Sequence, residues 1–316
     1  MATANFTGDG QQNNIEDLAC SSNLTAVLHV QLTFISVLNS FLSVTAFLGN
    51  ALMLVALHKI ESSLHPPSKL LLRSLATTDL CVGLFAEPLS VAYWMSVANE
   101  HWNICPVLSQ ASFVTSYILC GVSVATLTEL SVDRLLALLL GLRYRQVVTL
   151  KRTYVIVITT WAIVALFSAI RLFWSPIITL WYGSIAIPLY LLIAIVSYTK
   201  IFITLRHYNT HIHSHNAQQP NQLVNQLNIT RYKKAVSAAI WLQLTLVACY
   251  LPHGVMTALR TKGGLSVTVY HAGIYTVTLI FLNSSLNPIL YCWKLDEVRQ
   301  AVKDTIRQVL CHCFTS

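Results

Sequence analysis

Three stretches of this chain place ionisable side chains among apolar neighbours. Asp79 stands in "SLATTDLCVG", Asp133 and Arg134 adjoin in "SVDRLLALLLG", and Glu87 begins "EPLSVAYW". A carboxylate in such surroundings needs a cation, a proton or several donors. Candidate partners for Asp79 occur in other apolar stretches: Asn50 in "LGNALML", Ser123 in "CGVSVAT", and Asn283, Ser284 and Asn287 in "FLNSSLNPILY". Together they could build a hydrated pocket for Na⁺ or a proton, or a static hydrogen-bond network joining helices. The adjacent Asp133–Arg134 pair needs a partner, an interface or a task. His207, His211, His213 and His215 could bind a metal, but the His-, Asn- and Gln-rich stretch 207–230 reads as a flexible loop, which organises ligands poorly. The sequence has no H-E-x-x-H motif, serine elbow or nucleotide loop, so nothing supports an enzyme.

The segments carrying these residues must cross a membrane. Of 316 residues, 55% are hydrophobic and 10% charged, with a mean hydropathy of +0.60. Soluble domains are about 25% charged, and a helical span needs roughly 20 mostly apolar residues. Such segments recur near 31–57, 70–95, 107–138, 154–174, 177–203, 235–259 and 267–292. Each must satisfy its own backbone inside lipid, which favours helix. A barrel would show strict alternation over segments of about 10 residues. The fold class is therefore an all-α membrane protein, a seven-transmembrane helix bundle. Three parts follow: a disordered extracellular tail at 1–28, the seven-span domain at 29–293, and a membrane-surface helix with a short cytoplasmic tail at 294–316.

The net charge of +8 could suggest nucleic acid, but its distribution argues against that partner. With the N-terminus outside and the C-terminus inside, only Arg171, Arg260 and Lys262 of the 20 Lys and Arg fall on the outer ends. The positive-inside rule selects that orientation, which suits a multi-pass protein of the plasma membrane. Asn5 and Asn23 begin glycosylation sequons in the outer tail. The first 30 residues lack the basic and apolar regions of a cleaved signal peptide. Of the 8 cysteines, Cys20 and Cys105 alone face the oxidising side, either bridged or as two free thiols. After the last span, Leu295, Val298, Val302, Ile306 and Leu310 recur at helical spacing. An amphipathic helix along the inner leaflet fits this pattern, and Cys311 and Cys313 at its end could carry palmitate or stay free. Pro252 and Pro288 interrupt the sixth and seventh spans, each removing a backbone donor and bending its helix.

These landmarks, taken in order, resemble the rhodopsin-like (class A) G-protein-coupled receptors over essentially the whole chain. The set comprises Asn50, Asp79 in "LATTD", Asp133–Arg134, Trp161, Tyr198, Pro252 and Asn287–Pro288–Tyr291. The resemblance implies an extracellular ligand, a heterotrimeric G protein and membrane lipids as partners, with no cofactor beyond an allosteric Na⁺ at Asp79. It also implies roles. Asp133 would hold Arg134 in the off-state; on activation the sixth helix would swing outward and Arg134 would extend toward Tyr198 and the G protein. Leu142, in "LGLRYR", matches the second-loop position that packs on the G protein.

The chain also departs from the family. No cysteine occurs between 121 and 248, so the usual bridge to the second outer loop cannot form, and that loop, around 174–183, is very short. Cys105 sits about one turn beyond the usual bridging position, which Ser109 occupies. Tyr250 replaces the usual Trp of the sixth helix, and Pro188 lies ten residues before Tyr198 rather than eight. Tyr232 and Lys233 stand where an acid often clamps the switch Arg, which predicts raised constitutive activity. These features partially resemble the melanocortin, lipid, cannabinoid and adenosine group. Ser116 stands where aminergic receptors carry Asp, Phe281 where opsins carry the Schiff-base Lys, and Thr257 where adenosine receptors carry Asn. A lipid, small molecule or small peptide is thus favoured over an amine or retinal.

The expected cavity is lined by Glu87, Tyr93, Ser112, Ser116, Leu119, Tyr250, His253, Thr257, Tyr275 and Thr278. Glu87 could receive a cation, sit neutral, or bond within the bend made by Pro88. Arg260 and Lys262 at the mouth read either as attractors of an acidic headgroup or as solvated loop charges. Glu129 reads as paired near the inner interface. Two other readings remain open: an ion-coupled transporter using Asp79, and a receptor-shaped protein that signals without ligand or only scaffolds.

Overall fold

The computed structural model describes the backbone of residues 20, 22–59, 65–173, 176–215, 222–263, 267–294 and 296–315. Within these it describes the side chains outside 22–28, 142, 171–172, 176–177, 180, 205, 207–215, 222–236, 238–239, 262–263, 267 and 309–315. Seven helices are long and apolar enough to cross a membrane, and no strand occurs among the described residues. They are α1 (Ser22–Lys59), α2 (Pro66–Ala98), α3 (Cys105–Leu140), α4 (Leu150–Phe173), α5 (Pro176–His215), α6 (Gln222–Gly263) and α7 (Val267–Lys294). An eighth helix, α8 (Asp296–Thr315), follows at once.

Two boundaries differ from the sequence reading. The first helix begins at Ser22 rather than at 29, because apolar residues continue the helical pattern back toward Cys20. The stretch 207–230, expected as a loop, is mostly helical backbone: α5 runs to His215 and α6 starts at Gln222. Hydrogen bonds propagate along a helix one residue at a time once it exists, and in this stretch only Pro220 cannot donate.

Proline and glycine set the shape of α2. Pro66 and Pro67 occupy its first turn, where a missing N–H costs nothing. Pro88 cannot donate to the carbonyl four residues earlier, and the chain widens into a π turn at Val82–Ala86 just before it. The Glu87 N–H then closes the wider turn on Val82 O. Gly83 lies in that turn. A Cβ there would fall 2.7 Å from Phe47 N and Ser43 O, so only glycine lets α1 and α2 approach this closely. Ser43 uses the contact to donate to Gly83 O at 2.7 Å.

The seam of α1 with α7 is polar. Asn39 donates to Thr278 (3.1 Å), Thr45 to Ser285 (3.0 Å) and Asn50 to the Ser284 carbonyl (3.0 Å). Lipid offers little hydrophobic drive between helices, so small and hydroxylated residues join them instead. The outward faces carry large apolar side chains, among them Phe34, Phe41, Ile158, Ile185 and Phe202. On α8, Val298 is buried and Ile306 exposed, while Lys59 of α1 donates to Thr305 (2.9 Å) and Gln308 (2.7 Å). Cys20 and Cys105 form a disulfide with their Cα atoms 6.0 Å apart, tying the start of α1 to the start of α3.

Candidate functional site

Helix α3 passes three polar stations, called outer, middle and inner in order from its N-terminal to its C-terminal end. The outermost is a partly open cavity of about 290 Å³ lined by α2 to α7. Apolar and aromatic side chains dominate its wall, with Ser90 and Ser112 sharing a hydrogen bond at 2.8 Å, and Tyr93 and Tyr270 another at 2.7 Å. Tyr250, which stands in place of the family's usual Trp, donates to Cys120 O at 3.1 Å and so pins α6 to α3. His253 pairs with Thr276 at 3.1 Å.

Six of the ten residues expected to line this cavity do so: Tyr93, Ser112, Ser116, Tyr250, His253 and Thr257. Glu87, Leu119, Tyr275 and Thr278 lie outside it. The reason is helix rotation. On α7 the cavity face runs through Tyr270, Gly273, Ile274, Val277, Ile280 and Phe281, a spacing of three and four. Tyr275 and Thr278 fall off that stripe. Tyr275 is 44% exposed beside His271, and Thr278 accepts from Asn39 in the α1 seam. Leu119 is turned about 100° from its cavity-lining neighbour Cys120 and is buried in the core. Glu87 is fully buried behind the π turn, with neither carboxyl oxygen bonded to protein. Arg260, read at the mouth either as an attractor of an acidic headgroup or as a solvated loop charge, lies within α6 and joins the lining.

The middle station is Asp79, fully buried on α2. Ser123 of α3 and Ser284 of α7 each donate to Oδ1 at 2.9 Å, and Asn287 of α7 donates to Oδ2 at 2.7 Å. Three helices thus meet on one carboxyl group. Asn50 reaches it only indirectly, through the Ser284 carbonyl and its own bond to Ala46 O. Asn283 is buried with both amide atoms unbonded to protein, as are Asn287 Oδ1 and the Tyr291 hydroxyl. Pro288 lies within α7, buried beside Gly49 of α1.

The inner station centres on Asp133. Arg134 donates to its Oδ2 through Nε (3.1 Å) and Nη2 (2.5 Å). Ser68 at the start of α2 donates to the same oxygen at 2.8 Å, and Tyr144 donates to Oδ1 at 2.5 Å. Arg134 also donates to Ser68 Oγ. Tyr144 belongs to the one-turn helix Tyr144–Val147 between α3 and α4, and His65 packs on its ring with centroids 4.9 Å apart. Burial and then the Asp133 bond push the Tyr144 hydroxyl up to about 12. Burial lowers His65 below its ordinary 6.5, opposed by Asp133 and aided by Arg145 and Arg134. Ser68 and Tyr144 carried no sequence signal; hydroxyls at loop and helix starts are commonplace.

Tyr198 is buried on α5 beside Ser131 and Arg134. Ser131 donates to Gln243 of α6 at 3.3 Å, a polar tie between α3 and α6 on the inner half. Glu129 accepts from Thr160 of α4 at 2.6 Å, so its partner is a neighbouring helix rather than the inner interface. Several expected residues lie outside the described residues: Asn5 entirely, and the side chains of Asn23, Leu142, Tyr232, Lys233, Lys262, Cys311, Cys313 and His207, His211, His213 and His215. Among the described residues no group of three or more His, Cys, Asp or Glu could hold a metal ion.

Comparison with known proteins agrees with this arrangement. The family described as 7 transmembrane receptor (rhodopsin family) matches residues 49–291. A high-affinity lysophosphatidic acid receptor of Xenopus laevis is 23% identical over 330 residues, covering 88% of this chain and 85% of that protein. The human 5-hydroxytryptamine receptor 1D is 29% identical over 140 residues, 44% of this chain and 36% of the receptor. The human 5-hydroxytryptamine receptor 1E is 31% identical over 111 residues, 35% of this chain and 30% of that receptor. The family match runs from the last turns of α1 into α7 and takes in all three stations. On that ground the chain belongs to the rhodopsin family of seven-transmembrane receptors, the class A G-protein-coupled receptors.

Proposed function

We propose that this receptor sits in the plasma membrane with its N-terminus outside, and that it passes a ligand signal from the outer cavity to a heterotrimeric G protein. The observation that carries the reading is the single helix α3. It lines the cavity through Ser112, Ser116 and Cys120, bonds Asp79 through Ser123, and presents Asp133–Arg134 at its inner end. A ligand that prefers the arrangement with α6 swung outward shifts the population toward it. Arg134 then exchanges its bonds to Asp133 and Ser68 for Tyr198 and the G protein, a two-partner switch. Leu142 packs on the G protein. Lipids, small molecules and small peptides fit the cavity better than amines, since Ser116 offers no charge to an ammonium. A relative matched over 88% of the chain bears a lipid receptor's name, and the serotonin receptors named above match over less than half of it.

The middle station also suits Na⁺ as an allosteric ion. Hydroxyls can turn to offer lone pairs, and a hard cation takes oxygen ligands. Asp79, Ser123, Ser284 and the unbonded Asn283 would hold it, with Asn50 and Asn287 supporting them. The ion would supply positive charge that stabilises the off-state. Glycans on Asn5 and Asn23 and palmitate on Cys311 and Cys313 complete the proposal. The test is second-messenger output, cAMP and calcium together, in cells expressing the chain against Arg134→Ala at matched surface level. A basal signal that the variant loses is the expected result. An unchanged signal in the variant would sink the coupling role of Arg134.

A further inference from the structure

The outer cavity contains a charge that the described protein does not balance. Arg260 lines the outer part of the cavity from α6, and its Nε is sealed from solvent without a hydrogen-bond partner. Among the described residues no carboxylate pairs with it. Arg260 is only partly buried, yet a half-buried cation without a counter-charge is unfavourable, and an entering anion relieves it. The groups beside it are donors. Tyr93 and Tyr270 share one hydrogen bond, which uses one hydroxyl proton and leaves the other available. Ser109 hydrogen-bonds Tyr93 on the same side, which holds that hydroxyl in place at the edge of the cavity. A guanidinium flanked by hydroxyl donors takes an anionic oxygen group, through charge-assisted bonds.

The rest of the cavity has the opposite character. Tyr250 lies ten positions inward from Arg260 on α6, about 15 Å at the helical rise. Around that depth the wall is Val124, Ile280 and Phe281. From α3, α4 and α5 the wall is Gly121, Val164, Gly183 and Ile187, and a Cβ on Gly183 would meet nothing within 4 Å. The volume of about 290 Å³ sits at the lower edge of ligand cavities, which run roughly 300–1,000 Å³. That leaves room for one apolar tail and none for two.

We propose that the cavity binds a single-tailed anionic amphiphile, its carboxylate or phosphate head on Arg260 and its tail directed inward toward Tyr250 and Gly183. The proposal deepens the receptor reading of this same cavity and rests on it.

The full chain in lipid nanodiscs is titrated with radiolabelled dodecanoate, dodecyl phosphate and the neutral dodecanol. Saturable binding of at least one anion is expected, and the better of the two identifies the head. Arg260→Gln should weaken it roughly 10- to 100-fold, the worth of bonds to a charged group, and Arg260→Lys should recover part of the loss. Gly183→Leu should shift preference from dodecanoate to octanoate. Equal binding by wild type and Arg260→Gln, or equal binding of dodecanoate and dodecanol, overturns the proposal. So does an absence of saturable anion binding by discs whose receptor still melts cooperatively. An unchanged chain-length preference in Gly183→Leu overturns the tail placement. Nucleotide exchange on added G protein is read in the same discs. Arg134→Ala should keep the binding and lose the exchange, so failure of the receptor reading would leave the binding result intact.

Discussion

Two arginines sit at opposite ends of this bundle, and the protein treats them differently. Arg134 at the inner end is held by Asp133 and Ser68, and Asp133 is in turn held by Tyr144. Arg260 at the outer end lines a cavity with an unbonded Nε and no carboxylate beside it among the described residues. Both lie in surroundings where a cation is costly. The inner one is satisfied within the chain, which suits a switch that must rest in one state and leave it only when a partner competes. The outer one is left open, which suits a site whose counter-charge arrives from outside. Under the proposed function the same residue type serves as a latch at one end and a receptor site at the other, and its hydrogen-bond partners tell the two apart.

The sharpest way to break this comparison is to remove charge at each end and melt the ligand-free receptor. Asp133→Asn strips the counter-charge from Arg134, which is only 23% exposed, and should cost roughly 3–5 kcal/mol, the usual penalty for orphaning a buried charge. Arg260→Gln removes a charge already orphaned and should leave stability unchanged or raise it by about 1–2 kcal/mol. If both variants melt lower by similar amounts, the two arginines are equivalent and the comparison fails. Asp133→Asn should also raise basal second-messenger output.

A smaller effect tests the loop that completes the inner latch. Tyr144→Phe deletes one hydroxyl bonded to Asp133 and should cost about 1 kcal/mol, with a modest rise in basal signal. A melt and a basal signal both identical to wild type would remove Tyr144 from the latch.

The smallest effect is a pH dependence. His65 packs on Tyr144 and faces Asp133, Arg145 and Arg134, with burial as the main cause of its lowered value. The folded state therefore binds fewer protons there than the unfolded one, so its stability is complete above the ordinary value of 6.5 and declines as pH falls below it. Melting between about pH 7.5 and 5.5 should show a small decline that His65→Phe flattens. An equal slope in both proteins would show that His65 does not report on the latch.

Much of this was legible in the chain. Asp79 and the Asp133–Arg134 pair stood out because ionised groups are rare in apolar segments, and Ser123, Ser284 and Asn287 could be matched to Asp79 from composition. The rest depended on rotation and contact. Tyr275 and Thr278 share the polarity of true lining residues but face away from the cavity, since one or two positions along a helix turn a side chain out of the stripe. Ser68 and Tyr144 meet Asp133 only because α2, α3 and the α3–α4 loop converge. Glu87 was read as a cavity group, yet the π turn at Val82–Ala86 buries it behind the wall.

The sequence by itself determined the seven apolar spans and the charged residues set against them. Hydrophobic transfer sums locally over about 20 residues, with no need of neighbours. Only the tertiary structure decided which groups satisfy one another, because a hydrogen bond requires two atoms within about 3 Å and the partners here come from different helices. That is why Arg134 proves to be a held charge and Arg260 an open one, although the sequence shows each simply as an arginine near the end of an apolar segment.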